Sequence, residues 1–345
     1  MTLTAVPDTG WKFTGWSSGG CTGTGTCIVT MDTAKSVNAN FTLITITGTV
    51  RLQNTLGRTP AVADVPVPGV LLNAAGTPQV SGSTNASGVY SLSGFGAGPY
   101  TVNPSKTAQS YLEPDGVFIE DASLVARFVV GLEPDFTPHQ QAAADVSGVG
   151  GVSSYDATLI ARWVVGLQDP GTRSGTWAFT PASVNHGAVT ADVVQNYDAL
   201  LYGDVDGNFG STPGNLLQQI FLQTADPASV SLGNVNAQPG STVVIPLRID
   251  NLKGASVRSY QFDIEFDHAV LTPDAIAADL SGTVGAGMSL VYNVSKPGLL
   301  KVAVYDVFGV IGDGPYANLR FTATGGAGGR RQALASRRSY LVGAQ

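Results

Sequence analysis

The sequence predicts a mainly β, multidomain chain of small β-sandwiches with a two-helix unit inserted mid-chain. Three observations carry that expectation. First, only 12% of the 345 residues are charged while 43 are glycine, a mixture that suits short strands joined by tight turns. Second, several strings alternate apolar and polar residues with the period of two that buries one face of a strand. In SYQFDIEFDHAVLTP, for example, Tyr260, Phe262, Ile264 and Phe266 point one way and Gln261, Asp263 and Glu265 the other. Third, one stretch breaks the pattern with helical spacing and is duplicated. A chain of this length holds two to four domains.

The duplicated stretch organises the middle of the chain. DASLVARFVVGL at Asp121–Leu132 lines up with DATLIARWVVGL at Asp156–Leu167, offset by 35 residues, with nine of twelve positions identical. Two equivalent loop–helix units of this kind can pack apolar face to apolar face. Leu159, Ile160, Trp163, Val164 and Leu167 supply that face in the second copy. The loop before it, Asp145–Asp156, has the spacing of a twelve-residue calcium loop. Such loops take oxygen from positions 1, 3, 5, 7 and 9 and a carboxylate from 12, and they turn at a glycine in position 6. Asp145, Ser147, the Gly151 carbonyl, Ser153 through water and Asp156 therefore form the expected Ca2+ ligand set, with Gly150 at the turn. Val149, at position 5, has no side-chain oxygen. The loop before the first copy, SYLEPDGVFIED, places Leu112 and Pro114 where ligands belong and keeps only Asp121 with Asp115 or Glu113. It is expected to be a turn that starts a helix, with Asp121 favoured by the helix N-terminus.

A tandem of half-EF-hand loops, each followed by D-A-x-L-[IV]-A-R-x-V-V-G-L, resembles a type I dockerin over about residues 110–168. The resemblance implies a two-helix EF-hand-like dockerin unit at residues 105–168, calcium as cofactor and a cohesin partner. It also implies partner contacts at loop positions 10 and 11, which are Ser154 and Tyr155 in the second repeat and Ile119 and Glu120 in the first.

Residues 1–43 read as strands around TGWKFTGWSSGGCTGTGTCIVTMD. Cys21 and Cys27 are the only cysteines and flank a Gly/Thr-rich hairpin tip, where two thiols can approach disulfide distance in an oxidising compartment. A zinc site is less well supported, because no second cysteine pair or nearby histidine completes it. The module resembles the divergent B-repeats of bacterial surface proteins. Trp11, Phe13 and Trp16 are read as its core in preference to a glycan platform.

Residues 44–104 alternate ITITGTV, VPVPGVLLN and GVYSLSGFGAGPYTVNPSK between Gly, Pro and Asn turns, which predicts a small antiparallel sandwich. It resembles the prealbumin-like modules of carboxypeptidase regulatory and collagen-adhesin B-type domains. Residues 169–227 are expected to form a separate β-containing extension. Its Asp204, Asp206 and Asn208 make a D-x-D-x-N cluster, but Phe209 stands at position 6 and Asn215 at position 12. A solvated turn is expected there, with a weak metal site as the alternative. STPGN, LLQQIFLQ and Asp226-Pro227 then mark a boundary.

Residues 228–324 run through VNAQPGSTVVIPL, YQFDIEF and PGLLKVAV. That order resembles a cohesin, a jelly-roll sandwich that binds dockerins through one sheet. After NLRFTATG the strands a cohesin still owes are not apparent in GGAGGRRQALASRRSYLVGAQ. The sandwich is therefore expected to be truncated with an open edge, and residues 325–345 to be a disordered tail.

The function classes follow by exclusion. A net charge of −7 with 18 Lys plus Arg argues against nucleic acid, and no apolar run is long enough for a membrane helix. His139, His186 and His268, the only histidines, sit in no catalytic motif, so no enzyme activity is expected. MTLTAVPDTGW lacks the basic and apolar regions of a signal peptide, and the chain is expected to be a piece of a longer extracellular or cell-surface protein. The expected role is calcium-dependent assembly or anchoring of polysaccharide-degrading or surface complexes, with cohesin or dockerin modules as partners. The alternatives are a carbohydrate-binding adhesin that contacts polysaccharide directly, or a structural stalk whose dockerin-like unit packs within the chain.

Overall fold

The structure is a computed structural model, and it describes residues 1–52, 64–133, 135–210, 228–324 and 334–344. These fall into two compact units. The first holds residues 1–52, 64–107 and 177–200, and the second holds 108–133, 135–176, 201–210, 228–324 and 334–344.

The first unit opens with two small ribbons. Strand β1 (Thr2–Leu3) pairs with β3 (Cys27–Ile28), and β2 (Trp11–Ser17) pairs with β4 (Asn38–Leu43). Cys21 and Cys27 form a disulfide with their Cα atoms 5.6 Å apart. The bridge is buried with Val29, against which Trp16 and Val37 pack. Phe13 stands edge-on to Trp16 at 5.0 Å and meets Phe41 at 5.4 Å, so these rings pack on one another.

A sandwich follows, made of β5 (Thr45–Leu52), β6 (Val65–Pro66), β7 (Leu71–Ala75), β8 (Val80–Ser83), β9 (Val89–Ser93) and β10 (Pro99–Ser105), with four later strands. These are β11 (Trp177–Thr180), β12 (Val184–Ala188), β13 (Val193–Val194) and β14 (Tyr197–Leu201). One sheet runs β12-β10-β7-β8; the other runs β11-β14-β5-β13, with β6 and β9 also on β5. The strands expected in a separate extension after residue 168 thus pair with the 44–104 module. The two are one sandwich, interrupted between β10 and β11. The reason is edge pairing: β7 covers one side of β10, and β12 fills the other. On β5, which buries Ile46, Val50 and Leu52, Gly48 lies against the Gln195 carbonyl, and any side chain there would strike it.

In the second unit, α1 (Ile119–Val129) and α3 (Ser154–Val164) are the two helices of the repeat, and they pack on each other. A third helix, α2 (Pro138–Ala144), lies between them in sequence. Thr137 caps it: its hydroxyl accepts from the Gln140 amide while the Gln140 side chain accepts from the Thr137 amide, and Pro138 occupies the first turn. The repeat helices end alike. After α1 the Leu132 amide donates to the Arg127 carbonyl at 2.9 Å, and after α3 the Leu167 amide donates to Arg162 at 2.8 Å. Gly131 and Gly166 take the left-handed turn this requires.

The remaining strands are β15 (Ser229–Leu232), β16 (Thr242–Asp250), β17 (Ser256–Phe266), β18 (Leu271–Asp279), β19 (Ser289–Lys296), β20 (Leu299–Ile311), β21 (Gly314–Ala323) and β22 (Leu334–Ala344). They form two four-stranded antiparallel sheets, β15-β16-β21-β18 and β19-β20-β17-β22. Val243, Ile245, Leu247 and Ile249 from one sheet meet Tyr260, Phe262, Ile264 and Phe266 from the other in a common core.

Two expectations are corrected here. Residues 334–344 are a strand, not a disordered tail: β22 runs along β17 from Ser256↔Ala344 to Phe266↔Leu334. The sandwich is accordingly not left open at this edge. Without β22, β17 would carry a row of unpaired backbone groups beside a filled core, and that cost favours even a poorly patterned partner. Residues 325–333 and the 211–227 boundary segment lie outside the described residues.

A test follows. Backbone amides of Tyr260–Phe266 should exchange as slowly as, or more slowly than, those of Ala157–Val165. Truncation after Thr324 should destabilise the sandwich by several kcal/mol, at about 1 kcal/mol net per lost ladder bond. Hydrogen exchange and urea titration read the two effects.

Candidate functional site

The outward face of β17 and β20 is where sequence and structure part. Period-two alternation leaves Gln261 and Asp263 facing away from the sandwich core, yet Gln261 is 1% exposed and Asp263 3%. The cover is helical. Helix α1 lies against β17 and β20, and α3 reaches β19 and β20. Ser123 of α1 donates to the Asp306 carbonyl at 2.9 Å, and Arg127 donates to the Val307 carbonyl at 2.7 Å. At the far end of α3, Asn293 of β19 donates to the Val165 carbonyl at 3.0 Å.

Charge is built into this face. Lys301 of β20 is fully buried and its Nζ lies 2.7 Å from the Asp263 carboxylate. Removing a charged pair from water is costly, so each partner depends on the other. Arg258 of β17 sits among charges from α1 and the residues after it. Burial, and then Arg127, lower its affinity for the proton, while Glu133 and Glu120 oppose them. Arg127 is itself paired with Glu133 at 2.5 Å. Among the described residues, the Ser259 hydroxyl and both polar atoms of the Gln261 side chain are buried without hydrogen-bond partners.

The residues expected to recognise a partner lie around this contact. Ser154 and Tyr155 line a cavity of about 450 Å³ with Ala126, Val130, Tyr305 and Asp306, between the two helices and β20. Tyr155 is 60% exposed, Glu120 acts electrostatically on Arg258, and Ile119 is 1% exposed, which leaves no surface for a partner from outside.

Beneath the helices lie the two loops. In the second, the Ser147 amide donates to Asp156 Oδ1 at 2.8 Å and the Ser153 amide to Asp156 Oδ2 at 2.9 Å, while the Gly148 amide donates to Asp145 Oδ1 at 2.8 Å. Gly150 and Gly151 take left-handed turns. Arg173 also enters this loop. Its guanidinium lies 3.4 Å from Asp145 Oδ1, donates to the Asp145 carbonyl and packs on Gly148.

The first loop is completed from elsewhere. The Phe118 amide donates to Asp121 Oδ2 at 2.8 Å, as Ser153 does to Asp156. The counterpart of the Ser147 bond comes from Asp206, 85 residues from Asp121, whose amide donates to Asp121 Oδ1 at 3.1 Å, beside Val205 at 2.7 Å. Asp204 accepts from the amides of Asn208 at 3.0 Å and Phe209 at 3.3 Å. Asp115 accepts from the Gly210 amide at 2.9 Å. Gly116 permits the approach, since a side chain there would meet Phe209 and Asp204. The D-x-D-x-N cluster is therefore buried, not a solvated turn; its missing closing carboxylate is Asp121. Burial, followed by the charges of Asp206 and Asp204, pushes the Asp121 carboxyl well above the usual carboxylate range. Burial and then Asp206 do the same to Asp204.

Comparison with known proteins bears on the sheet that carries the helices. Residues 228–340 match the cohesin domain. Residues 1–45 match the divergent InlB B-repeat domain. No curated protein matches. Among solved structures, a non-cellulosomal cohesin from Archaeoglobus fulgidus is 25% identical with a TM-score of 0.25; the match covers 28% of this chain and spans 65% of that one. The sixth cohesin of scaffoldin B from Acetivibrio cellulolyticus, in complex with a Cel5 dockerin mutant, is 25% identical with a TM-score of 0.27, covering 29% of this chain and 74% of that one. A cohesin module of a family 33 glycoside hydrolase from Clostridium perfringens is 15% identical with a TM-score of 0.27, covering 34% and 82%.

The cohesin match ends inside β22, in line with the pairing of that strand. The split loop was missed by sequence reasoning, though a signal existed. DVDGNFG at 204–210 and DVSGVGG at 145–151 agree at the first, second, fourth and seventh positions. A repeat search that demanded one fixed offset passes over it.

Lys301→Ala should destabilise the cohesin sandwich by about 3–5 kcal/mol, because it leaves a buried carboxylate unpaired. The double variant Lys301→Met with Asp263→Leu should cost less than the single change. Urea unfolding of the three proteins measures both.

Proposed function

We propose that this chain is a non-catalytic, extracellular modular protein that works through a cohesin–dockerin-type contact, with its own dockerin-like helices as the occupant of its cohesin sheet. The seating of α1 on β17 and β20 through Ser123 and Arg127 carries the reading. Cohesin homology supports an assembly role, and cohesins in the solved structures are held with dockerins. The dockerin-like unit then serves as an internal partner, the arrangement expected of a stalk whose modules pack within the chain. Calcium belongs to the proposal as the ion that holds the loops from which α1 and α3 start. In the second loop Asp156 accepts from the Ser147 amide and the Ser153 hydroxyl, and Asp145 accepts from the Ser147 hydroxyl. Anchoring of polysaccharide-degrading or surface complexes is the role this would serve.

An occupied sheet should bind outside dockerins poorly. Arg127→Glu removes the bond to Val307 and sets a carboxylate beside Glu133, so it should loosen α1 and increase capture of dockerins several-fold over the parent chain. Pull-down of both proteins against a dockerin panel, beside a glycan array, reads the result. Absence of dockerin capture by either protein would sink the docking reading, and glycan capture by the parent chain would favour an adhesin.

A further inference from the structure

The split first loop holds three buried carboxylates. Asp121, Asp204 and Asp206 place their oxygens within 4.8 Å of one another, and each residue is at most 3% exposed. We propose that these three residues and Asn208 form the principal divalent-cation site of the chain, a calcium-type site whose ligands come from two distant segments.

The spacing fits a single ion. Calcium–oxygen bonds are about 2.3–2.6 Å, so oxygens on opposite sides of one ion stand about 4.6–5.2 Å apart. The electrostatics favour one. Among the described residues, no lysine or arginine pairs with Asp121 or Asp204, and only backbone amides are seen to donate to them. Clustered, desolvated carboxylates repel one another unless they take up protons or a cation lies between them.

Asn208 supplies an independent sign of a ligand. It is 8% exposed, and its Nδ2 donates to Asp206 Oδ2 at 2.8 Å, which turns the amide into the cluster. Its Oδ1 is buried with no hydrogen-bond partner among the described residues. A buried carbonyl oxygen among carboxylates finds no donor, but it is a suitable fifth-position ligand for a hard cation.

The second loop is the weaker candidate. It has two carboxylates, Val149 at position 5, and the Arg173 guanidinium already on Asp145. The principal site therefore lies where the contiguous motif is broken. A cation there ties residues 204–208 to the start of α1, the helix that carries Ser123 and Arg127 to the cohesin sheet.

The inference rests on the calcium dependence proposed above, but its test reads metal directly and leaves the question of dockerin capture to the pull-down. The full chain is stripped with chelator and titrated with calcium chloride, and with magnesium chloride in parallel, by calorimetry and thermal unfolding. Calcium should bind and raise the unfolding midpoint. Asp204→Asn and Asp206→Asn should each weaken the tightest binding step by at least about tenfold, while Asp145→Asn should weaken it less than either. Asparagine removes repulsion but sets an NH2 group where an Asp204 oxygen accepts from the Asn208 or Phe209 amide, so cooperative thermal unfolding of the metal-free variants, not an unchanged midpoint, shows that they are folded. The proposal is overturned if the parent binds neither ion. It is equally overturned if Asp145→Asn loses binding while Asp204→Asn keeps it, since the ion would then lie in the second loop.

Discussion

A strand covered on both faces must find partners for every polar group it buries, and β17 is such a strand. Its inward side chains, Tyr260, Phe262 and Ile264, meet the opposite sheet. Its outward ones, Ser259, Gln261 and Asp263, lie where α1 and α3 rest on the sheet. Asp263 is satisfied by Lys301, whereas Ser259 and Gln261 have atoms without a partner among the described residues. The contact is therefore polar, and α1 adds hydrogen bonds to β20 carbonyls.

The helices are held from below by two loops of the same design built in two ways. In both, a carboxylate three residues into the helix accepts from the residue before the helix and from a loop amide. In the second loop that amide lies nine residues upstream; in the first it comes from beyond the second repeat. Hydrogen-bond geometry depends on position in space and not on chain order, so the loop survives being cut as long as the pieces are brought back together. Bringing them back costs loop-closure entropy, which grows only slowly with the length of the intervening chain.

The match to the cohesin domain and the β22 pairing agree about the C-terminal sandwich, and that agreement has a physical basis. A core of this size, drawn from both sheets, cannot tolerate an open edge at its central strand. The first sandwich makes the same point in another way. Its sheets take β12, β13 and β14 from beyond the helical unit, and these strands pair with the remaining sides of β10 and β5.

Local patterns were enough to recognise the mainly β character, the alternation along β16 and β17, the two repeat helices with their glycine ends, and the contiguous loop Asp145–Asp156. Each rests on residues within a few positions of one another, where spacing alone sets which side chains share a face. The cysteine pair was legible for the same reason. Partner choice across long separations was not: that β12 joins β10, that the SRRSYLVGA stretch runs beside β17, or that Asp121 closes a loop begun at Asp204. Period-two alternation says that a strand has two faces but not what will cover the second, so Gln261 and Asp263 read as solvent-facing until the helices were placed on them. Those outcomes are settled by burial and backbone pairing, which act through space and leave no mark on the local spacing of residues.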